Sequence, residues 1–230
     1  MTTAAKPNPL LEIAVTIVLP GIVLMQASSA DRLGPAGALV AALSLPLGWG
    51  LWDAVRRRRL NWLALLGVVG TLMTGGIGLM QLDAHWLAIK EATVPALMGL
   101  VVLGSAWMRR PLIHALVFDA ALLDTDRINA LLAERRTAVA FEARLRQGTL
   151  VLGAVFLASA AANYALARWI VRSPAGTEAF NQELGRLTLL GWPLISLPMM
   201  LALMALLVWL ADGARRLTGL PYGELFRSPH

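Results

Sequence analysis

Six stretches of this chain run 17 to 25 residues without a charged side chain: 13–30, 33–52, 60–82, 92–108, 147–167 and 187–211. A bilayer's hydrocarbon core is about 30 Å thick and an α-helix rises about 1.5 Å per residue, so each stretch is long enough, or nearly so, to cross. With 57% hydrophobic and 15% charged residues, against about 25% charged in ordinary soluble domains, the chain has lipid rather than water as the solvent for most of its surface. The fold expected is all-α: a polytopic membrane protein of six transmembrane helices, at about 10–30, 33–54, 60–82, 86–108, 147–171 and 187–211.

Composition removes several function classes. The formal charge of +6 would serve nucleic acid only if the basic residues were gathered on a soluble face; they stand instead in short connections, so no nucleic-acid partner is expected. The absence of cysteine excludes disulfides, thiolate metal sites and iron–sulfur ligation. His85, His114 and His230 are too far apart for HxxxH or HExxH spacing, and no glycine-rich run ends in Gly-Lys-Ser/Thr. Neither a metal nor another cofactor is expected. Ser28-Ser29-Ala30 puts small residues after the first apolar run, as a signal peptide does, but the leader sets only Lys6 against Glu12 and the run is long enough to span, so a retained first helix is expected.

Short loops rich in Lys and Arg stay cytoplasmic. With an inner N-terminus, the inner segments hold fifteen of the twenty Lys and Arg, including Arg56-Arg57-Arg58-Arg59, Arg109, Arg110, Arg135, Arg136, Arg144, Arg146, Arg215 and Arg216. Arg32, Lys90, Arg168, Arg172 and Arg186 remain outside or at span ends. Both termini are therefore expected in the cytoplasm, with residues 212–230 as a cytoplasmic tail. Trp52, Trp62, Trp86, Trp107 and Trp169 fall near span ends, where indole rings favour the headgroup level.

Residues 109–146 form the one soluble-looking connection, between a group at 1–108 and the last two spans at 147–211. Asp124-Thr125-Asp126 offers a helix cap, after which Ile128, Leu131 and Leu132 share a face: a short cytoplasmic amphipathic helix, lying on the bundle or the headgroups or docking a partner. Pro111 to Phe118 is apolar but too short to cross. The chain also carries echoes of a 3+3 repeat: Glu12, Thr16 and Pro20-Gly21 against Glu91, Thr93 and Pro95, and Arg59-Leu60 against Arg186-Leu187. Three is odd, so duplicated halves would be inverted across the bilayer, as in many secondary transporters.

Polar groups inside the apolar segments are few. Lys90 and Glu91 enter the fourth span about one turn past Trp86, close enough to an end to reach the interface. Arg168 and Arg172 close the fifth span on the same side, which predicts an ion pair from Glu91 to one of them. Thr71, Thr74, Gly75, Gly76 and Gly78 form a small-residue strip that serves either close helix packing or a backbone-lined pocket. In the second case Thr74, Gly75, Gly76, Gln81, Asp83, His85, Lys90 and Glu91 would surround one outer pocket. After Ser173-Pro174, Thr177 is placed to cap a short helix with Phe180 and Leu184 on one face.

Long strings carry a family resemblance: Asn8-Pro9-Leu10-Leu11, Leu72-Met73-Thr74-Gly75-Gly76-Ile77-Gly78-Leu79, Trp86-Leu87-Ala88-Ile89-Lys90-Glu91-Ala92, Ser173-Pro174-Ala175-Gly176-Thr177 and Phe180-Asn181-Gln182-Glu183-Leu184-Gly185. In these the chain resembles a family of small bacterial inner-membrane proteins labelled intracellular septation protein A-like or transporter-like. The resemblance implies an inner-membrane location and carries over no functional residue. Two functions follow as expectations: a small-molecule or ion transporter, or half of one, and alternatively a non-enzymatic scaffold that binds envelope or division proteins through 109–146; the partners expected are a small-molecule or ion substrate, and a further copy of the chain or an envelope protein. Membrane lipid is a partner in either case. An enzyme is not expected, since Glu91 with His85 is the one acid–base pair at a shared depth.

Overall fold

The structure, a computed structural model, describes residues 11, 13–57, 62–108, 111–114 and 125–221. The leader with Lys6, Glu12, Arg58 and Arg59, the 109–110 arginines, Asp124 and the tail beyond 221 lie outside the described residues. Among the described residues there are helices and no strand. A π-helical turn at Ala14–Val18 leads into α1 (Leu19–Ala27). Then come α2 (Gly34–Arg57), α3 (Trp62–Leu79), α4 (Ala84–Ser105), a single turn at Leu112–His114, α5 (Thr125–Glu134) and α6 (Ala138–Ile170). The chain closes with α7 (Glu178–Gly191), a second π turn (Trp192–Ser196) and α8 (Leu197–Thr218).

Four helical segments among the described residues are long and apolar enough to cross a membrane: Gly34–Trp52, Ala84–Ser105, Ala138–Ile170 and Glu178–Thr218. The first and third of the six expected spans correspond to shorter apolar helices, Ala14–Ala27 and Val68–Leu79. Glu178–Thr218 is the most apolar of the four and the least buried, with 11% of its most apolar window inside against 28% for Ala138–Ile170. A water-soluble fold would hide such a helix first. Here Met200, Leu201, Met204 and Val208 are exposed along it, as are Val94, Leu97, Met98 and Val101 on α4. Apolar faces of this kind need hydrocarbon, so the chain is an integral membrane protein.

Two expected boundaries move. The helix of the fifth span begins at Ala138, nine residues before Gln147, so the end of the 109–146 connection is already α6. The short helix after Thr177 does not stop, but runs through the π turn into α8. Each π turn lies just before a proline in the first turn of the next helix, Pro20 and Pro198. A proline ring crowds the carbonyl four residues back and offers it no N–H; widening that turn to the i−5 pattern, seen as Leu19 N–H to Ala14 O, relieves the clash.

The chain divides into two compact units, Met1–Ala92 with Ala162–Ile195, and Thr93–Ala161 with Ser196–His230. In the first unit α1 packs on α2 and α7, and α2 on α3, around Leu24, Leu39, Ile77, Leu87, Phe180 and Leu184. Glycines set the approach: a Cβ on Gly185 would meet the Gly21 carbonyl at 2.7 Å, and one on Gly78 would meet Leu39 Cδ2 at 2.4 Å. The buried Asn181 Nδ2 donates to Ser28 Oγ (3.0 Å) and to the Pro35 carbonyl (2.6 Å), tying α7 to the α1–α2 turn.

In the second unit Ile113, Ile128, Leu132, Phe141, Leu145, Leu210 and Ala214 make one core. The expected amphipathic face of α5 is therefore occupied by its own chain, with Ile128 at 0% and Leu132 at 3% exposure and Leu131 packed alongside. Two arginines of the connection grip α8: Arg144 Nη2 donates to the Trp209 carbonyl (2.7 Å) with its guanidinium over the Trp209 ring, and Arg135 lies against Gly219, the left-handed cap of the helix. Thr137 Oγ1 donates to the Leu217 carbonyl (3.1 Å), one of the orphan acceptors of that end.

Candidate functional site

The α3–α4 turn owes its shape to a Schellman closure: Leu82 N–H reaches the Ile77 carbonyl (3.0 Å) and Gln81 N–H the Gly78 carbonyl (3.3 Å). Closure requires a left-handed residue, and Gln81 holds φ 53° where glycine is usual. Asp83 then caps α4, its Oδ1 accepting from His85 N–H at 2.6 Å. On the facing segment α6 ends at Ile170 and the chain turns through Arg172 and Ser173. Glu183 of α7 holds that turn, its Oε2 accepting from the Arg172 and Ser173 N–H groups (2.9 and 2.8 Å) and its Oε1 from Ser173 Oγ (2.9 Å). Thr177 caps α7 as expected, accepting from Phe180 N–H (3.1 Å), and Phe180 and Leu184 are buried.

These two turns enclose a cleft of about 580 Å³ within the first unit. Its polar lining is Gln81, Asp83, Arg168, Arg172 and Ser173, and its apolar lining Leu82, Ala84, Val171, Pro174 and Ala175. Gln81 is held over Gly176, at φ 82°, where a Cβ would come within 2.9 Å of Gln81 Cγ.

The single pocket expected from the sequence resolves into separate groups. Gln81 and Asp83 line the cleft. Thr74, Lys90 and Glu91 make their own cluster, Lys90 Nζ donating to Thr74 Oγ1 (2.8 Å) and to Glu91 Oε1 (2.6 Å), with side-chain exposures of 16% for Lys90 and 30% for Glu91. The expected pairing of Glu91 with Arg168 or Arg172 gives way to Lys90. Adjacent residues diverge by about 100° on a helix, yet four methylenes let the ammonium fold back onto its neighbour, while Arg172 spends its Nε on the Trp169 carbonyl (3.0 Å). His85 joins Tyr164 instead, Oη to Nδ1 at 3.4 Å with the rings edge to face, and so stands apart from Glu91.

In the glycine strip, Gly75 and Gly78 allow close packing. A Cβ on Gly75 would meet Leu43 Cδ1 at 2.7 Å, Gly78 meets Leu39, and Gly76 has nothing within 4 Å; neither Gly75 nor Gly76 lines the cleft. Among the described residues no three His, Asp or Glu side chains gather as a metal would require. Sequence reasoning missed Glu183, whose role depends on a loop ten residues away, and Asn181, whose partners lie 146 and 153 residues away. No family model, curated protein or solved structure matches this chain.

Proposed function

We propose that this chain is a small-molecule or ion transporter of the bacterial inner membrane, or half of one, with six spans, both termini in the cytoplasm and the cleft facing out. The single observation that carries the reading is the Lys90–Glu91–Thr74 cluster. Lys90 lies six residues into α4, about 9 Å from its start, so a charged pair sits inside a candidate span and is bonded across to α3. At that depth the ammonium can reach the interface, so the cost is modest; what supports the reading is that the pair is turned inward and bonded to α3, as ionisable groups beside ion or substrate paths characteristically are. Pro95 adds a break there, since it has no N–H to return to the Glu91 carbonyl four residues back. The π turns at Ala14–Val18 and Trp192–Ser196 supply two further interruptions of the kind found at moving or binding segments.

Membership of the septation protein A-like family belongs to the same proposal. The scaffold alternative is less well supported, because the apolar face of α5 that a partner would need is spent inside the second unit.

The test is purified protein in liposomes on a solid-supported membrane, challenged with inorganic cations, inorganic anions, amines and carboxylates. A current above that of empty vesicles is expected for at least one class, falling at least tenfold in Lys90→Ala and Glu91→Ala while Lys90→Arg retains part of it. No current from folded protein across the panel, or equal currents in the alanine variants, overturns the reading.

A further inference from the structure

We infer that the cleft between the α3–α4 turn and the α6–α7 turn receives an oxyanion, a phosphate or carboxylate, carried on a small apolar body. The inference deepens the transport reading and rests on it for one point alone, that the bound anion is cargo.

The argument is an accounting of donors and acceptors. Two guanidinium groups, Arg168 and Arg172, line the cleft. Arg168 and the Gln81 amide have no side-chain hydrogen bond among the described residues, and Arg172 uses only its Nε, on the Trp169 carbonyl. The carboxylates that would be their natural partners are engaged. Asp83 caps the N-terminus of α4, and Glu183 takes two backbone N–H groups and the Ser173 hydroxyl. Each acidic group is thus held by the backbone that shapes the cleft, and the exposed guanidinium groups of Arg168 and Arg172 keep donors that a ligand can take over from water. A guanidinium presents five N–H donors in a planar fork that matches carboxylate or phosphate two bonds at a time. Asp83 at the rim and Glu183 behind Ser173 still contribute negative charge, which offsets the two guanidinium groups and disfavours highly charged ligands. Leu82, Val171 and Pro174 line the same space, so a ligand with a short hydrocarbon portion fills it better than a bare ion. Gln81, its side chain lying over Gly176, adds an amide at the edge.

The oxyanion could belong to a soluble organic acid or to a lipid headgroup, and the experiment separates them. Full-length protein in phosphatidylcholine nanodiscs and in phosphatidylglycerol nanodiscs is titrated with butyl phosphate and with inorganic phosphate, following tryptophan fluorescence. Butyl phosphate is expected to bind about tenfold more tightly than inorganic phosphate, and Arg168→Ala and Arg172→Ala to weaken it by about ten- to a hundredfold, the range for a lost charge-assisted bond. The double Arg168→Lys, Arg172→Lys variant keeps the charge and the fold, and should lose most of that affinity because the fork is gone. Equal affinity in both lipids assigns the site to a soluble anion; loss confined to phosphatidylglycerol assigns it to the headgroup. Folded wild type that binds neither phosphate in phosphatidylcholine, or binding unchanged in all three arginine variants, overturns the proposal. Lys90 does not line the cleft, so Lys90→Ala should cut the current at least tenfold with little change in butyl phosphate affinity, and failure of the transport reading and failure of the anion site give different results.

Discussion

A methyl group added at Gly213 should destabilise the protein, although the same change at an open helical position such as Gly48 should stabilise it. Gly213 is the notch in α8 through which Arg144 passes: a Cβ there would lie 1.8 Å from Nε and 2.2 Å from Cδ. The side chain would have to leave its seat, giving up the bond from Nη2 to the Trp209 carbonyl (2.7 Å) and the stacking of Cζ 3.9 Å from the Trp209 ring centroid. A hydrogen bond from a charged donor contributes about 1.5–3 kcal/mol and an exposed cation–π contact about 0.5–1 kcal/mol. Arg144 is half buried, so the lower ends apply and the loss is about 2 kcal/mol. Replacing glycine by alanine inside a helix returns about 1 kcal/mol, leaving Gly213→Ala less stable by about 1 kcal/mol. Gly48 in α2 has nothing within 4 Å, so Gly48→Ala should gain about 1 kcal/mol. At about 2–4 °C per kcal/mol for a chain of this size, the two variants should melt on opposite sides of wild type. Thermal unfolding in detergent, read from the eight tryptophans, measures this. In an Arg144→Ala background, where nothing fills the notch, Gly213→Ala should become stabilising. A Gly213→Ala protein that melts at or above wild type with Arg144 in place refutes the assignment.

Two further substitutions probe the units separately. Asn181→Ala should cost about 1–3 kcal/mol, because Ser28 Oγ and the Pro35 carbonyl lose a buried donor, and Asn181→Asp should cost more by setting a carboxylate against that carbonyl; the same melting assay ranks them. Ile128→Ala should cost about 2–5 kcal/mol and speed proteolysis near residues 125–137, since the side chain is wholly inside the second unit. Unchanged stability with lost binding of an envelope protein would favour the scaffold instead.

Much of the architecture is legible in the chain because lipid imposes local rules. Charge-free runs locate the helices, Thr177 announces the start of α7, and the 128, 131, 132 spacing marks the buried side of α5. What fails locally is length. Nothing in Val139, Ala140 and Phe141 distinguishes a connection from the first turns of a long helix; Phe141 is buried in one cluster with Leu132 and Leu210 of other elements, which no local pattern announces. The glycine strip is similarly ambiguous until Leu39 and Leu43 are seen to fill the space a Cβ would take at Gly78 and Gly75.

The site was harder to read for a reason that bears on its chemistry. Sequence assigns a carboxylate by its charge, and on that basis Asp83 belongs with the pocket acids and Glu91 with the nearest arginines. The fold assigns it by what the backbone leaves unsatisfied. A helix start and a two-residue turn each expose N–H groups that must be met, and the closest acceptors are Asp83 and Glu183. Once both are committed there, and Glu91 is taken by its own neighbour, Arg168 and Arg172 keep donors that no carboxylate among the described residues takes. Removing one acid should therefore act on the shape of the cleft before its charge: Glu183→Gln retains the size but weakens the hold on the 172–173 turn, and anion affinity should fall even though a negative charge has been taken away. A rise in affinity would mean that Glu183 competes for the arginines directly, and the separation of structural acids from binding cations would be wrong.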